Sequence, residues 1–78
     1  VKAGSGQGIY FTATQGGTIS GNYVEAENNT VGRGIYVSNG AANTAVLGNS
    51  AIGPFGTAAI AQSGSTNVII PAGSNATV

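Results

Sequence analysis

The chain has 78 residues, 41% of them apolar, with fourteen glycines and neither cysteine, histidine nor aspartate; Lys2, Arg33, Glu25 and Glu27 carry its only side-chain charges, giving a formal net charge of zero. This composition excludes disulfide staples and the usual zinc ligand sets, and it leaves no basic stripe to follow a nucleic-acid backbone. A chain this short hides only about 60% of its unfolded surface, so a repeating ladder or an oligomer is expected to supply the remaining stability.

Residues 1–8, "VKAGSGQG", read as a polar N-terminal segment. Its "GSGQG" lacks the Lys-Ser/Thr and following helix of a phosphate loop, and is better taken as a flexible entry or a solenoid corner. Ile9-Tyr10-Phe11 then opens a strand, and Gly-Ile-Tyr returns at Gly34-Ile35-Tyr36, 26 positions later. A period of this size belongs to stacked solenoids. Thr12 to Thr14, "TAT", suggests an ice-binding row, but "SNG" and "AQS" replace it further along the chain.

After each copy comes a polar, glycine-containing turn and a second short strand, "TISGN" (Thr18 to Asn22) and then "AVLGN" (Ala45 to Asn49). Gly21-Asn22, Asn39-Gly40 and Gly48-Asn49 read as turn dipeptides, because Gly and Asn accept positive φ. A degraded third copy spans Thr57 to Gly73. Matching it at a step of 23 places Ala58 and Ile60 on Ile35 and Val37, and Val68 and Ile70 on Ala45 and Leu47, while a step of 24 fits nearly as well and leaves the register open. Residues 9–70 are thus the repeating body, and residues 71–78, "PAGSNATV", a polar tail.

Strand alternation points Ile9, Phe11, Ile35, Val37, Ala58 and Ile60 inward and Tyr10, Tyr36 and Ala59 outward. Ile19, Val24, Leu47, Ile52, Val68 and Ile70 form a second inward wall. No stretch keeps the 3.6-residue apolar period of a helix. A meander of hairpins, with Asn39-Gly40 as its tightest turn, is the competing architecture. It gives no reason for the same phrase to return at one spacing, whereas a solenoid does.

In "YVEAE" Glu25 and Glu27 share an outward face with Tyr23, while Val24 and Ala26 point in. Paired carboxylates do glycosidase chemistry at separations of about 5 to 5.5 Å (retaining) or 6.5 to 9.5 Å (inverting). Nothing nearby desolvates either one, so a solvated strand face is the plainer reading. Asn28 and Asn75 lie in glycosylation sequons, "NNT" and "NAT", as chance allows in so Asn- and Thr-rich a chain.

The phrases "GIYVSN" (Gly34 to Asn39) and "ISGN" (Ile19 to Asn22) resemble those of right-handed parallel β-helices of the pectate-lyase-like superfamily. The resemblance runs from Gly8 to about Ile70 and is nearest to segments of bacteriophage tailspikes and related extracellular fibres. It implies an all-β, right-handed parallel β-helix (solenoid) of about three coils, assembled as a homotrimer through the faces bearing Tyr10, Tyr36 and Ala59. It further implies a structural or assembly role, on a virion tail or otherwise extracellular, in recognition of cell-surface polysaccharide. Tyr10, Tyr36, Tyr23, Glu25 and Glu27 are the candidate sugar-binding residues, the tyrosines as flat platforms.

The lyases of that superfamily use acidic clusters for calcium and Arg or Lys as base. This chain has no aspartate and one arginine, so no catalytic residue, metal site or cofactor carries over; at most two glutamates would hold calcium weakly. A fragment of a polysaccharide lyase or hydrolase, or a bacterial adhesin repeat, are the alternatives. No apolar run approaches a membrane span and no signal-peptide pattern is present. A chain beginning at Val1 is read as a processed or excised piece.

Overall fold

Short runs of β-branched and apolar residues, many of them closed by Gly or Asn, favour strands over helices. The computed structural model describes residues 1–13, 15–28 and 30–78; Thr14 of the "TAT" phrase and Asn29 of the first sequon lie outside the described residues. Among these residues there is no helix. The strands are β1 (Lys2–Ala3), β2 (Gly6–Thr12), β3 (Gln15–Ser20), β4 (Tyr23–Ala26), β5 (Val31–Ser38), β6 (Ala42–Leu47), β7 (Ser50–Ile52), β8 (Ala58–Ser63), β9 (Thr66–Ile69) and β10 (Ala76–Thr77).

Each strand pairs with the strand three further along the chain, always in parallel. The result is three sheets, β1-β4-β7-β10, β2-β5-β8 and β3-β6-β9. Strands adjacent in sequence therefore lie in different sheets, an arrangement consistent with a parallel β solenoid and not with a meander. The turn at Asn39-Gly40 joins β5 to β6 and stacks on equivalent backbone: Asn39 N–H donates to Ser63 O, Gly40 N–H to Gly64 O, and Ala13 N–H to Asn39 O. The two terminal segments, read from sequence as polar tails, each contribute a strand to the four-stranded sheet, β1 on β4 and β10 on β7.

The register explains the repeated phrase. Ile9, Ile35 and Ile60 form one row, and Tyr10, Tyr36 and Ala61 the next. Gly34 and Ile35 are both buried although consecutive, so the strand bends there and departs from strict alternation. A Cβ on Gly34 would stand 2.6 Å from Ala59 O and 2.9 Å from the Phe55 ring, and one on Gly8 would meet Val24 and Gly34 O. Glycine is needed because backbone and core side chains already occupy that space. Ile, next along, enters the core, and Tyr faces out.

The core holds Ile19, Val24, Ile35, Val37, Ala41 and Val46, with Ile9, Phe11, Ile60 and Val68 packed at its margins. A smaller cluster of Ala3, Ala26 and Val31 packs against Phe55. Ile35 and Val37 are fully buried as the alternation predicts, and Val24 and Ala26 point inward as expected.

Several expectations are corrected. Ile9, Phe11 and Val68 are half-buried, because each lies on an edge strand with a neighbour on one side only. Leu47 is 37% exposed and Ile70 36% exposed, so neither belongs to the inner wall. Val46 takes the inward place that Leu47 was assigned. Ile60 stands opposite Ile35 and not Val37, Ala58 opposite Arg33, and Ala61, not Ala59, continues the tyrosine row. Val68 stands opposite Thr44, and Ile69 opposite Ala45. Strands β6 and β9 pair at the alternative step of 24, Thr44 with Val68; between β5 and β8 the step is 25, Ile35 with Ile60, because "AIA" (Ala59 to Ala61) repeats the bent Gly-Ile-Tyr unit with alanine in the glycine and tyrosine places.

Candidate binding face

Tyr10 on β2 and Tyr36 on β5 are in register, so their rings meet on the outside of one sheet. Ring centroids lie 5.5 Å apart with planes 12° from parallel, a separation in the range of offset stacking between parallel strands. The Arg33 guanidinium lies over the Tyr36 ring, its Cζ 4.1 Å from the centroid. Strict alternation would send Arg33 inward with Ile35. The bend at Gly34-Ile35 puts it on the outer face beside Tyr36. The two contacts cover Tyr36, so Tyr10, 53% exposed at the head of its row, presents the free aromatic surface.

The Tyr36 phenol is held below its ordinary value by hydrogen bonding to Ser38, then to Ser63, and by the Arg33 charge, against the opposing effect of burial. Tyr23 is shifted the other way. Its hydroxyl donates to Glu25 Oε1 at 2.8 Å, and that bond, desolvation and the carboxylate charge all raise its pKa.

The structure divides the five expected sugar-binding residues between two sheets. Tyr10 and Tyr36 belong to β2-β5-β8; Tyr23 and Glu25 lie on β4 in the four-stranded sheet, and Glu27 follows the end of that strand. Glu25 sits half-buried in register with Lys2, while Glu27 is exposed and its N–H donates to Ala3 O. The Glu25 carboxylate is engaged by the Tyr23 hydroxyl.

Sequence reasoning missed two constellations. Arg33 was passed over because alternation hides it. The second is a ladder of asparagines: Asn22 N–H and Nδ2–H both donate to Asn49 Oδ1, each at 3.0 Å, and Asn49 N–H and Nδ2–H donate to Asn75 Oδ1 at 3.1 and 3.0 Å. Asn49, almost wholly buried, also donates to Ile19 O at 2.9 Å. The signal was present in Gly21-Asn22, Gly48-Asn49 and Ser74-Asn75, with Ser replacing Gly in the last. In the other sequon, Asn28 Oδ1 accepts from Thr30 N–H and Oγ1.

No family model, curated protein or solved structure significantly matches the chain. Parallel strands in three sheets agree with the broad architecture that the pectate-lyase-like resemblance implied, and the superfamily itself gains no support from relatives.

Proposed function

We propose that this chain is a right-handed parallel β-helix of about three coils that serves as a structural and assembly segment of a tailspike-like or other extracellular fibre protein engaged in recognising cell-surface polysaccharide. The observation that carries the reading is the outward Tyr10–Tyr36 stack on a regular, charge-poor sheet. A flat aromatic face held on rigid strands suits the apolar face of a sugar ring, and Arg33 beside it supplies hydrogen-bond donors. Low charge on the side walls removes the usual repulsion between copies and suits lateral packing into a homotrimer. Ala61, which continues the tyrosine row, replaces Ala59 in the face proposed for that contact.

A calorimetric titration with a panel of oligosaccharides from bacterial surface polysaccharides tests the sugar reading. Binding is expected for at least one member, weakened tenfold or more in Tyr10→Ala and unchanged in Tyr23→Phe. Absence of binding across the panel, or equal binding by Tyr10→Ala, overturns it. Sedimentation equilibrium tests the trimer, and a monomer at all concentrations overturns that part alone.

A further inference from the structure

The chain contains no cysteine, methionine, tryptophan or histidine, and three tyrosines. Thiols and thioethers ordinarily take up oxidising equivalents, so in this chain one-electron oxidation falls on the phenols of Tyr10, Tyr23 and Tyr36. Tyr10 is 53% exposed and Tyr23 51%, and an oxidant in solution meets the two alike. Their surroundings differ. Tyr23, on β4, donates its hydroxyl to Glu25 Oε1, and among the described residues no second tyrosine ring stacks on it. Tyr10, on β2, has Tyr36 beside it.

Parallel register sets Tyr10 directly opposite Tyr36, on strands about 4.8 Å apart, and the ring centroids lie 5.5 Å apart with planes 12° from parallel. The Arg33 guanidinium, 4.1 Å from the Tyr36 centroid, restricts how far that ring turns. A phenol that loses one electron and its hydroxyl proton becomes a radical shared between the oxygen and the ring carbons ortho to it, in orbitals whose lobes stand perpendicular to the ring. Face-to-face rings aim those lobes at each other. Hydrogen bonding to Ser38 and Ser63, with the Arg33 charge, holds the Tyr36 phenol below its ordinary value and so eases the proton loss that accompanies oxidation.

We propose that Tyr10 and Tyr36 are a site of oxidative cross-linking, joined as dityrosine within one folded chain by a peroxidase and hydrogen peroxide. Each phenol gives up one electron and its hydroxyl proton, and one peroxide is reduced to two waters. A carbon–carbon bond then forms between an ortho carbon of each ring. Each of these carbons passes its hydrogen, as a proton through water, back to its phenol oxygen, which restores both aromatic rings; the net loss from the chain is two electrons and two protons. The bond ties β2 to β5 across 26 positions of sequence, in a chain that has no cysteine to do so. Like a disulfide it restrains the unfolded chain, so the cross-linked form unfolds at higher urea than the free form. The site rests on neither the sugar reading nor the trimer reading.

The test treats the 78-residue chain, over a dilution series, with a peroxidase and hydrogen peroxide, then denatures it, digests it with trypsin and reads the products by mass spectrometry and dityrosine fluorescence. Trypsin cuts after Lys2 and Arg33, which puts Tyr10 and Tyr23 in fragment 3–33 and Tyr36 in fragment 34–78. The expected product is a single chain two hydrogens lighter whose two fragments stay joined after digestion. Its yield should be unchanged in Tyr23→Phe and lower by about tenfold or more in Tyr10→Phe, because only the stacked pair is held in place to react within one molecule. Oxidation in urea, where the register is lost, should lower the yield in the same way. Fragments that separate, a joined product undiminished in Tyr10→Phe, or coupling mainly between chains at every dilution overturns the proposal. A yield in urea equal to the native yield overturns it as well, and that comparison holds whether or not Tyr10→Phe folds.

Discussion

Ile35 and Ile60 belong to one row of the same sheet and differ in surroundings: Ile35 on β5 has β2 on one side and β8 on the other, whereas Ile60 on β8 has β5 alone. The first is fully buried and the second only half. The contrast extends to Val46 on β6 and Val68 on β9. In a stack of parallel strands the side chain sets which way a residue faces, and its place in the stack sets how much water it escapes.

Substitutions can break or sharpen this comparison. Ile35→Ala is expected to cost about 2 to 5 kcal/mol in urea denaturation, and Ile60→Ala distinctly less, since much of its surface is already wet. Equal costs would end the distinction between central and edge strands. Asn49→Ala should cost about 1 to 3 kcal/mol, because Asn22 N–H and Ile19 O lose their partners inside the stack. Asn22→Ala, at the end of the ladder, is expected to cost less by the same measurement.

Glycines test the bend. Gly34→Ala pushes a methyl against Ala59 O and Phe55 and should cost about 1 to 3 kcal/mol. Gly32→Ala has its nearest neighbour at 3.5 Å, an ordinary contact, and should stay within about 0.5 kcal/mol. Thermal or urea melts of the pair decide whether close approach, and not glycine content as such, is what the Gly-Ile-Tyr phrase requires.

The tyrosines give the smallest effects. Ultraviolet titration should show Tyr36 ionising below the ordinary phenol value of 10.0 and Tyr23 above it. A raised folded pKa means that the Tyr23–Glu25 contact stabilises the fold below the ordinary phenol range and is lost as pH rises through the folded value. The depressed Tyr36 works in the opposite sense, its ionisation favouring the folded state as pH rises. Glu25→Gln should move the Tyr23 step down, and Tyr23→Phe should remove the highest step. Glu25→Ala at neutral pH should change stability by no more than about 0.5 kcal/mol.

Much of this was legible in particular residues. The spacing of Ile9-Tyr10-Phe11 and Ile35-Tyr36-Val37 carried both the parallel stacking and the outward tyrosines, because equivalent strand positions must superpose when a phrase recurs at one spacing. Val24 and Ala26 followed from alternation in "YVEAE". Alternation misled at Arg33 and across Ala58 to Ile60, since the bend at Gly34-Ile35 buries two residues in succession. Asn22 and Asn49 were visible as turn residues, but a turn asparagine and a ladder asparagine look alike in one dimension.

By itself, then, the sequence determined the strand-forming chemistry, the repeat and the identity of the row Ile9–Ile35, all of which depend on local pattern and spacing. Only the tertiary structure decided the register of β8 and β9, the placing of Arg33 over Tyr36, and the joining of Asn22, Asn49 and Asn75 into one ladder. Those depend on which backbone lies next to which, and with glycine-rich corners of unequal length several registers satisfy the same apolar pattern until packing around Gly34, Phe55 and Ala59 selects one.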